Sequence, residues 1–214
     1  MRPLETLDWQ DFVDDYPDMR LWPQAEAGLG LKGIFAFQAQ VNEMPQVTDA
    51  YEIEMIVPLG FPRDLPRVWE TGGRIPVDGK HHRSYDGTLC LGAPLRSLVS
   101  LAKQPSLVGF AERCLVPYLY AMSRHLNEGI PFVFGELEHG SPGELADYAE
   151  LLGLKTPEQA KKAINLLGMK ERCANKHACP CGCGMRLGLC PFRFRLVELR
   201  ALAPLHWFRS LSRP

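Results

Sequence analysis

The chain has 214 residues, of which 46% are hydrophobic and 23% charged, with a formal net charge of −1. That balance belongs to a soluble globular protein and supplies no overall basic field for nucleic acid. The acidic opening segment lacks the apolar core of a signal peptide, and no run reaches the roughly 20 apolar residues of a bilayer span, so a cytoplasmic protein without membrane or nucleic-acid partners is expected.

In chain order, residues 4–13 place Leu4, Leu7, Phe12 and Val13 at roughly helical spacing. Residues 31–41 put Phe35, Phe37, Ala39 and Val41 on one face at a period of two, with Gln38 and Gln40 on the other. Residues 50–58 alternate likewise through Tyr51, Ile53, Met55 and Val57, and a third short strand follows from Arg67 with Gly72-Gly73 as its turn. Strands this close together predict an antiparallel meander. Between 62 and 94 the chain is rich in Pro and Gly and reads mostly as ordered loop. Residues 106–126 then carry Leu107, Ala111, Cys114, Tyr118 and Met122 at steps of three and four, a core-facing helix with a kink expected at Pro117. Two further helices start at Ser141-Pro142 and Thr156-Pro157 and end at Gly153 and Gly168.

Five of the seven cysteines (Cys173, Cys179, Cys181, Cys183, Cys190) crowd into one stretch, with His177 among them. A disulfide framework spreads its cysteines, whereas thiolates bunched on a Gly-rich loop close around zinc, and the metal then supplies folding energy. The run C-P-C-G-C-G followed by Cys190 resembles the zinc motif at the C-terminus of the SecA translocase, which reads C-P-C-G-S-G and ends in C-C or C-H. Cys179, Cys181 and Cys190 match its first three ligands, while Pro191 stands at the fourth. The resemblance implies structural zinc on Cys179, Cys181, Cys190 and a fourth donor, Cys173 in preference to His177. Cys183, in place of the motif's serine, is expected beside the site rather than on the metal. A metal-free loop and a catalytic zinc are the alternatives.

Cys90 stands apart, in the stretch G-T-L-C-L-G at residues 87–92 just after His81 and His82. It is either a small buried hydrophobe or an exposed nucleophile. Residues 1–130 resemble the ubiquitin-conjugating enzymes, which run strand, Y-P-x-x-P-P, strand, H-P-N, seven residues, C-L, a loop, a proline and a helix. Phe61-Pro62 and Pro66 correspond to the proline turn and Cys90 to the thioester cysteine. The family's asparagine falls at His82 and its histidine at Lys80, so His82 or His81 must supply the donor or base for aminolysis. Bacterial relatives beside ubiquitin-like, activating-enzyme and deconjugating-peptidase genes also replace the triplet.

The resulting expectation is an α+β fold. A UBC-like antiparallel β-meander with flanking helices spans 1–135, a helical linker 136–168, and a small C-terminal zinc module 169–214. The resemblance implies a transferase that takes a ubiquitin-like modifier from an activating enzyme as a thioester on Cys90. It would pass the modifier to a protein or other amine acceptor, in a bacterial conjugation system such as an antiphage defence. A catalytically silent module binding a ubiquitin-like protein is the alternative, and a Cys-His hydrolase the third. The hydrolase ranks last because no orienting Asp or Asn is evident in the sequence.

Overall fold

The computed structural model describes residues 9–23, 28–132 and 141–212. The chain divides into two compact units, residues 1–136 and 137–214. The first is α+β and the second, among its described residues, is helical.

Unit 1 opens with α1 (Trp9–Asp15), whose Phe12 is buried in the core; Leu4 and Leu7 lie outside the described residues. Four strands follow: β1 (Met19–Trp22), β2 (Gly28–Ala39), β3 (Val47–Pro58) and β4 (Arg67–Glu70). They form one antiparallel meander in the order β1-β2-β3-β4. The two-residue period sets the layer. Phe35 lies opposite Tyr51 and Leu31 opposite Met55, and all four are buried together with Ile53 and Val57. The expected strands at 31–41 and 50–58 are therefore the central pair, each starting three residues earlier, with β2 stopping at Ala39. β1 is an addition, tucked so closely against β2 that a Cβ on Gly33 would run into the Asp18 carbonyl.

The buried face of the sheet is covered by helices. α2 (Pro94–Leu101) buries Leu95, Leu98 and Leu101, a helix that the sequence pattern did not assign. The next helical run changes type along its length: α3 (Leu107–Phe110), a π-helical turn (Ala111–Leu115) and α4 (Val116–Glu128). Leu107, Ala111, Cys114, Tyr118 and Met122 are all buried, as their spacing predicts. The kink expected at Pro117 takes a different form. Val116 donates back to Ala111, five residues earlier, and Pro117, which has no N–H to give, sits in the first turn of α4.

Unit 2 contains α5 (Ser141–Leu152), α6 (Pro157–Leu167), α7 (Glu171–Ala174), a 3-10 turn (Leu187–Leu189), α8 (Phe192–Leu202) and α9 (Leu205–Leu211). The Ser141 side chain lies outside the described features. At α6 the cap is present, Thr156 Oγ1 accepting from the Gln159 N–H at 3.3 Å while Gln159 accepts from the Lys155 N–H at 2.8 Å. α6 packs against α8 and α9, and two arginines tie down its open carbonyl end: Arg200 donates to Leu166 O at 2.6 Å and Arg209 to Gly168 O at 2.8 Å. The helices of 141–167 and the cysteine segment thus belong to one compact unit. No helix among the described residues is long and apolar enough to cross a membrane.

Candidate functional site

Cys90 is exposed, while Leu89 before it is buried and Leu91 after it is half-buried. The segment is extended, so alternate side chains face opposite ways and the leucines anchor what the thiol leaves free. Its backbone is pinned on both sides: Leu89 N–H donates to Val68 O on β4 and Cys90 N–H to His82 O, each at 2.8 Å. His82 adopts a left-handed conformation (φ 49°, ψ 45°) at the end of the 3-10 turn Gly79–His81, which directs its carbonyl toward Cys90.

A buried ion pair holds the loop between β4 and Cys90. Glu70, 1% exposed, accepts from the Arg74 and Ile75 amides at 3.2 Å each. Arg83 reaches the same carboxylate at 3.4 Å and also donates to the carbonyls of Ile75 (2.5 Å), Glu70 (2.8 Å) and Gly87 (3.1 Å). One guanidinium thus staples three points, Glu70, Ile75 and Gly87, of a loop that has no regular pairing of its own. At the tip, Asp86 accepts from the Thr88 N–H and hydroxyl, and Gly87 turns at φ 82° packed against Trp69. Gly87 is there to make this turn. A cavity of about 560 Å³ borders the outer side of the loop, with Trp69, Val77, Arg83 and Asp86 in its walls.

The histidines are not idle loop residues. His81 Nδ1 lies 2.6 Å from Asp78 Oδ1, and the same oxygen accepts the His81 N–H at 3.0 Å. The His81 ring beside it holds the Asp78 carboxyl below its ordinary pKa, so the carboxylate is ionised at neutral pH. With Nδ1 engaged by the carboxylate, Nε2 is the nitrogen left to exchange a proton with another group. The His81 ring meets His125 edge-on at 5.5 Å, His125 stacks on Phe132 at 4.6 Å, and His82 meets Phe132 edge-on at 4.8 Å. Tyr118 donates to the His81 carbonyl at 2.9 Å. Burial, with Cys90's charge adding to it, raises the Tyr118 pKa, so its phenol stays a donor. Asp78 and His125 were not legible as site residues. The signal for Asp78 was its place three residues before His81, where a carboxylate caps a turn. Cys114, by contrast, is core: it is buried, 3.9 Å from Ser97 O, and burial pushes its thiol up to about 11.

In unit 2, the sulfurs of Cys179, Cys181, Cys183 and Cys190 lie within 4.8 Å of one another. Cys179 and Cys181 are 3.2 Å apart and Cys181 and Cys190 are 3.7 Å apart. A tetrahedron of thiolates about 2.3 Å from a metal has edges of about 3.8 Å, so the four sulfurs are spaced to close on one ion. Burial raises the pKa of the Cys179 and Cys181 thiols, whereas the Met185 amide lowers that of Cys183. The fourth sulfur in the group belongs to Cys183, where the motif comparison names Cys173 as fourth donor. Cys179, Cys181 and Cys183 alternate with Pro180 and Gly182, and Gly182 and Gly184 turn at positive φ so that the short loop curls its sulfurs inward. Cys173, exposed on α7, and His177, exposed in the following turn, fall outside the group.

Compared with known proteins, the chain matches no family model, no curated protein and no solved structure.

Proposed function

We propose that unit 1 is a ubiquitin-conjugating-type transferase that carries a ubiquitin-like protein on Cys90. The observation that carries the reading is an exposed thiol on an extended segment whose own N–H is bonded to His82 O, with the preceding His81 engaged by a carboxylate. The chain order, a helix, a four-stranded meander, a cysteine segment and then helices, supports it as well. Cys90 thiolate attacks the carbonyl of the activating enzyme's thioester, forming a new C–S bond and expelling that enzyme's thiolate. An amine then attacks the Cys90 thioester, a C–N bond forms, the amine proton passes to a base, and Cys90 leaves as thiolate. His81, backed by Asp78, is the base in this scheme, and His82 the donor beside the cysteine. In unit 2 the four-sulfur group holds structural zinc, because a full set of four thiolates leaves no open position for catalysis.

The test mixes the protein with a ubiquitin-like protein and activating enzyme from the same genome, and ATP. A thiol-labile adduct lost in Cys90→Ala and kept in Cys114→Ala is expected. No adduct from a charged activating enzyme sinks the transferase in favour of a silent binding module. The Asp78–His81 contact also favours a second reading, a cysteine hydrolase, since the orienting carboxylate that reading lacked is present. Cleavage of a ubiquitin-like C-terminal fusion without activating enzyme or ATP would select it.

A further inference from the structure

The net charge of −1 averages two opposed halves. Residues 1–136 carry twelve Lys and Arg against eighteen Asp and Glu, whereas residues 137–214 carry twelve against seven. The excess in unit 2 is concentrated around the cysteine group. Between 170 and 195 stand Lys170, Arg172, Lys176, Arg186, Arg193 and Arg195, with Glu171 the one acid. A divalent ion with four thiolates would carry a charge of about −2, which still leaves a surplus of cations.

These side chains sit on a compact scaffold. The strip 175–178 runs beside 186–188, with Ala178 bridged to Arg186, Leu187 N–H donating to His177 O at 2.8 Å and Gly188 N–H to Asn175 O at 3.0 Å. Arg193 donates to Gly188 O at 2.7 Å and lays its guanidinium over the Phe194 ring at 4.6 Å. Lys170, Arg172, Lys176 and Arg186 are exposed. So are large apolar groups among them: Leu189 is 62% exposed and Phe194 57%. Lone exposed leucines are ordinary, but an exposed aromatic plate roofed by arginine, within a field of cations, is built for one kind of partner.

We propose that this face of unit 2 binds single-stranded nucleic acid, phosphates on Lys176, Arg186 and their neighbours and a base against Phe194. Four of the six cations are arginines, whose planar fork matches phosphate and whose plane stacks on bases. A duplex hides its base faces, so the exposed ring and Leu189 have a partner only in an unpaired strand. An acidic protein would satisfy the charges, whereas a single strand offers charge and flat rings together along one chain. This proposal does not rest on the Cys90 chemistry.

The test is fluorescence anisotropy of the full-length protein with a labelled oligodeoxythymidine of about twenty nucleotides, at salt from about 50 to about 200 mM. Binding that weakens steeply with salt is expected. Lys176→Gln with Arg186→Gln should weaken it about 10-fold and flatten the log–log salt slope by roughly 1.4. Phe194→Ala should weaken it about 10-fold while leaving that slope unchanged. Circular dichroism should match wild type in each variant. Absence of binding at low salt overturns the proposal, as does binding that neither variant changes. Competition by polyglutamate of matched charge as strong as by unlabelled oligonucleotide also overturns it and assigns the face to an acidic protein. A duplex bound as tightly as the single strand overturns the base contact.

Discussion

Asp78 Oδ1 holds both the backbone N–H and the ring Nδ1 of His81, at 3.0 and 2.6 Å, so one carboxylate oxygen sets the turn and the imidazole together. Asp78→Asn keeps an oxygen to cap the turn but removes the charge. If His81 accepts the amine proton, this variant forms the Cys90 thioester at the wild-type rate and discharges it to lysine about 10²-fold more slowly. His81→Ala should do the same. Single-turnover discharge measured on gels decides it, and equal discharge rates remove the pair from the chemistry.

His82 acts on the cysteine segment through its backbone, its carbonyl accepting from the Cys90 N–H. Asparagine tolerates the left-handed conformation better than other non-glycine residues. His82→Asn is therefore expected to keep the fold and the Cys90 N–H bond, and to discharge faster than His82→Ala. A melting temperature for the Asn variant below that of the Ala variant would count against the backbone role.

Arg83 and Glu70 form a pair buried within the loop clamp. Removing the cation alone strands a carboxylate that only backbone amides then satisfy. Arg83→Met should cost about 3 kcal/mol of stability, and Glu70→Gln in the same chain should restore part of that. Urea denaturation read by tryptophan fluorescence measures both. A double variant no more stable than Arg83→Met would mean that the pair is not coupled.

Asp49 predicts the acid limb of stability. Burial pushes its pKa up, but the bonds from Arg74 (2.8 and 3.0 Å), Ser123 (2.6 Å) and the Ala50 amide outweigh this and hold the carboxyl below its ordinary value. A depressed folded pKa contributes stability that is complete above the unfolded value of about 3.9 and is lost as pH falls through the folded one. Wild type should therefore exceed Asp49→Asn at neutral pH, with the gap closing below about pH 4. Thermal melts across that range check it; a gap that stays constant in acid rules out Asp49 as its source.

The cysteine group makes the sharpest demand. Cys183→Ser should lose the metal along with Cys179→Ser, Cys181→Ser and Cys190→Ser, while Cys173→Ser and His177→Ala keep about one ion per chain. Elemental analysis of protein purified without chelators gives the count. Full metal in Cys183→Ser would return the fourth position to Cys173 or His177.

Much of unit 1 is written in period. Tyr51, Ile53, Met55 and Val57 alternate because one face of β3 is buried, and the stripe from Leu107 to Met122 repeats because one helical face is. β1 is four residues long, too short to display a period, and its place comes from pairing with β2. α2 carries its own signal, Pro94 then Leu95, Leu98 and Leu101, masked by the Gly and Pro around it. At the cysteine group, composition pointed to three of the four sulfurs that converge. The structure gathers Cys183 rather than Cys173, because matching positions to a motif weighs identity at a site, whereas loop curvature at Gly182 and Gly184 decides which thiols converge. Asp78 and His125 meet His81 only through folding, one across a turn and one from α4.

The alternation of Leu89, Cys90 and Leu91 makes chain length the quantity under constraint along this segment. Replacing a residue between Arg83 and Cys90 alters one side chain, whereas deleting one shifts every later residue to the opposite face. The thiol would then point into the core and the leucines at water. Natural variation here should accordingly run through substitutions, with insertions and deletions displaced to the tip around Tyr85, which is fully exposed.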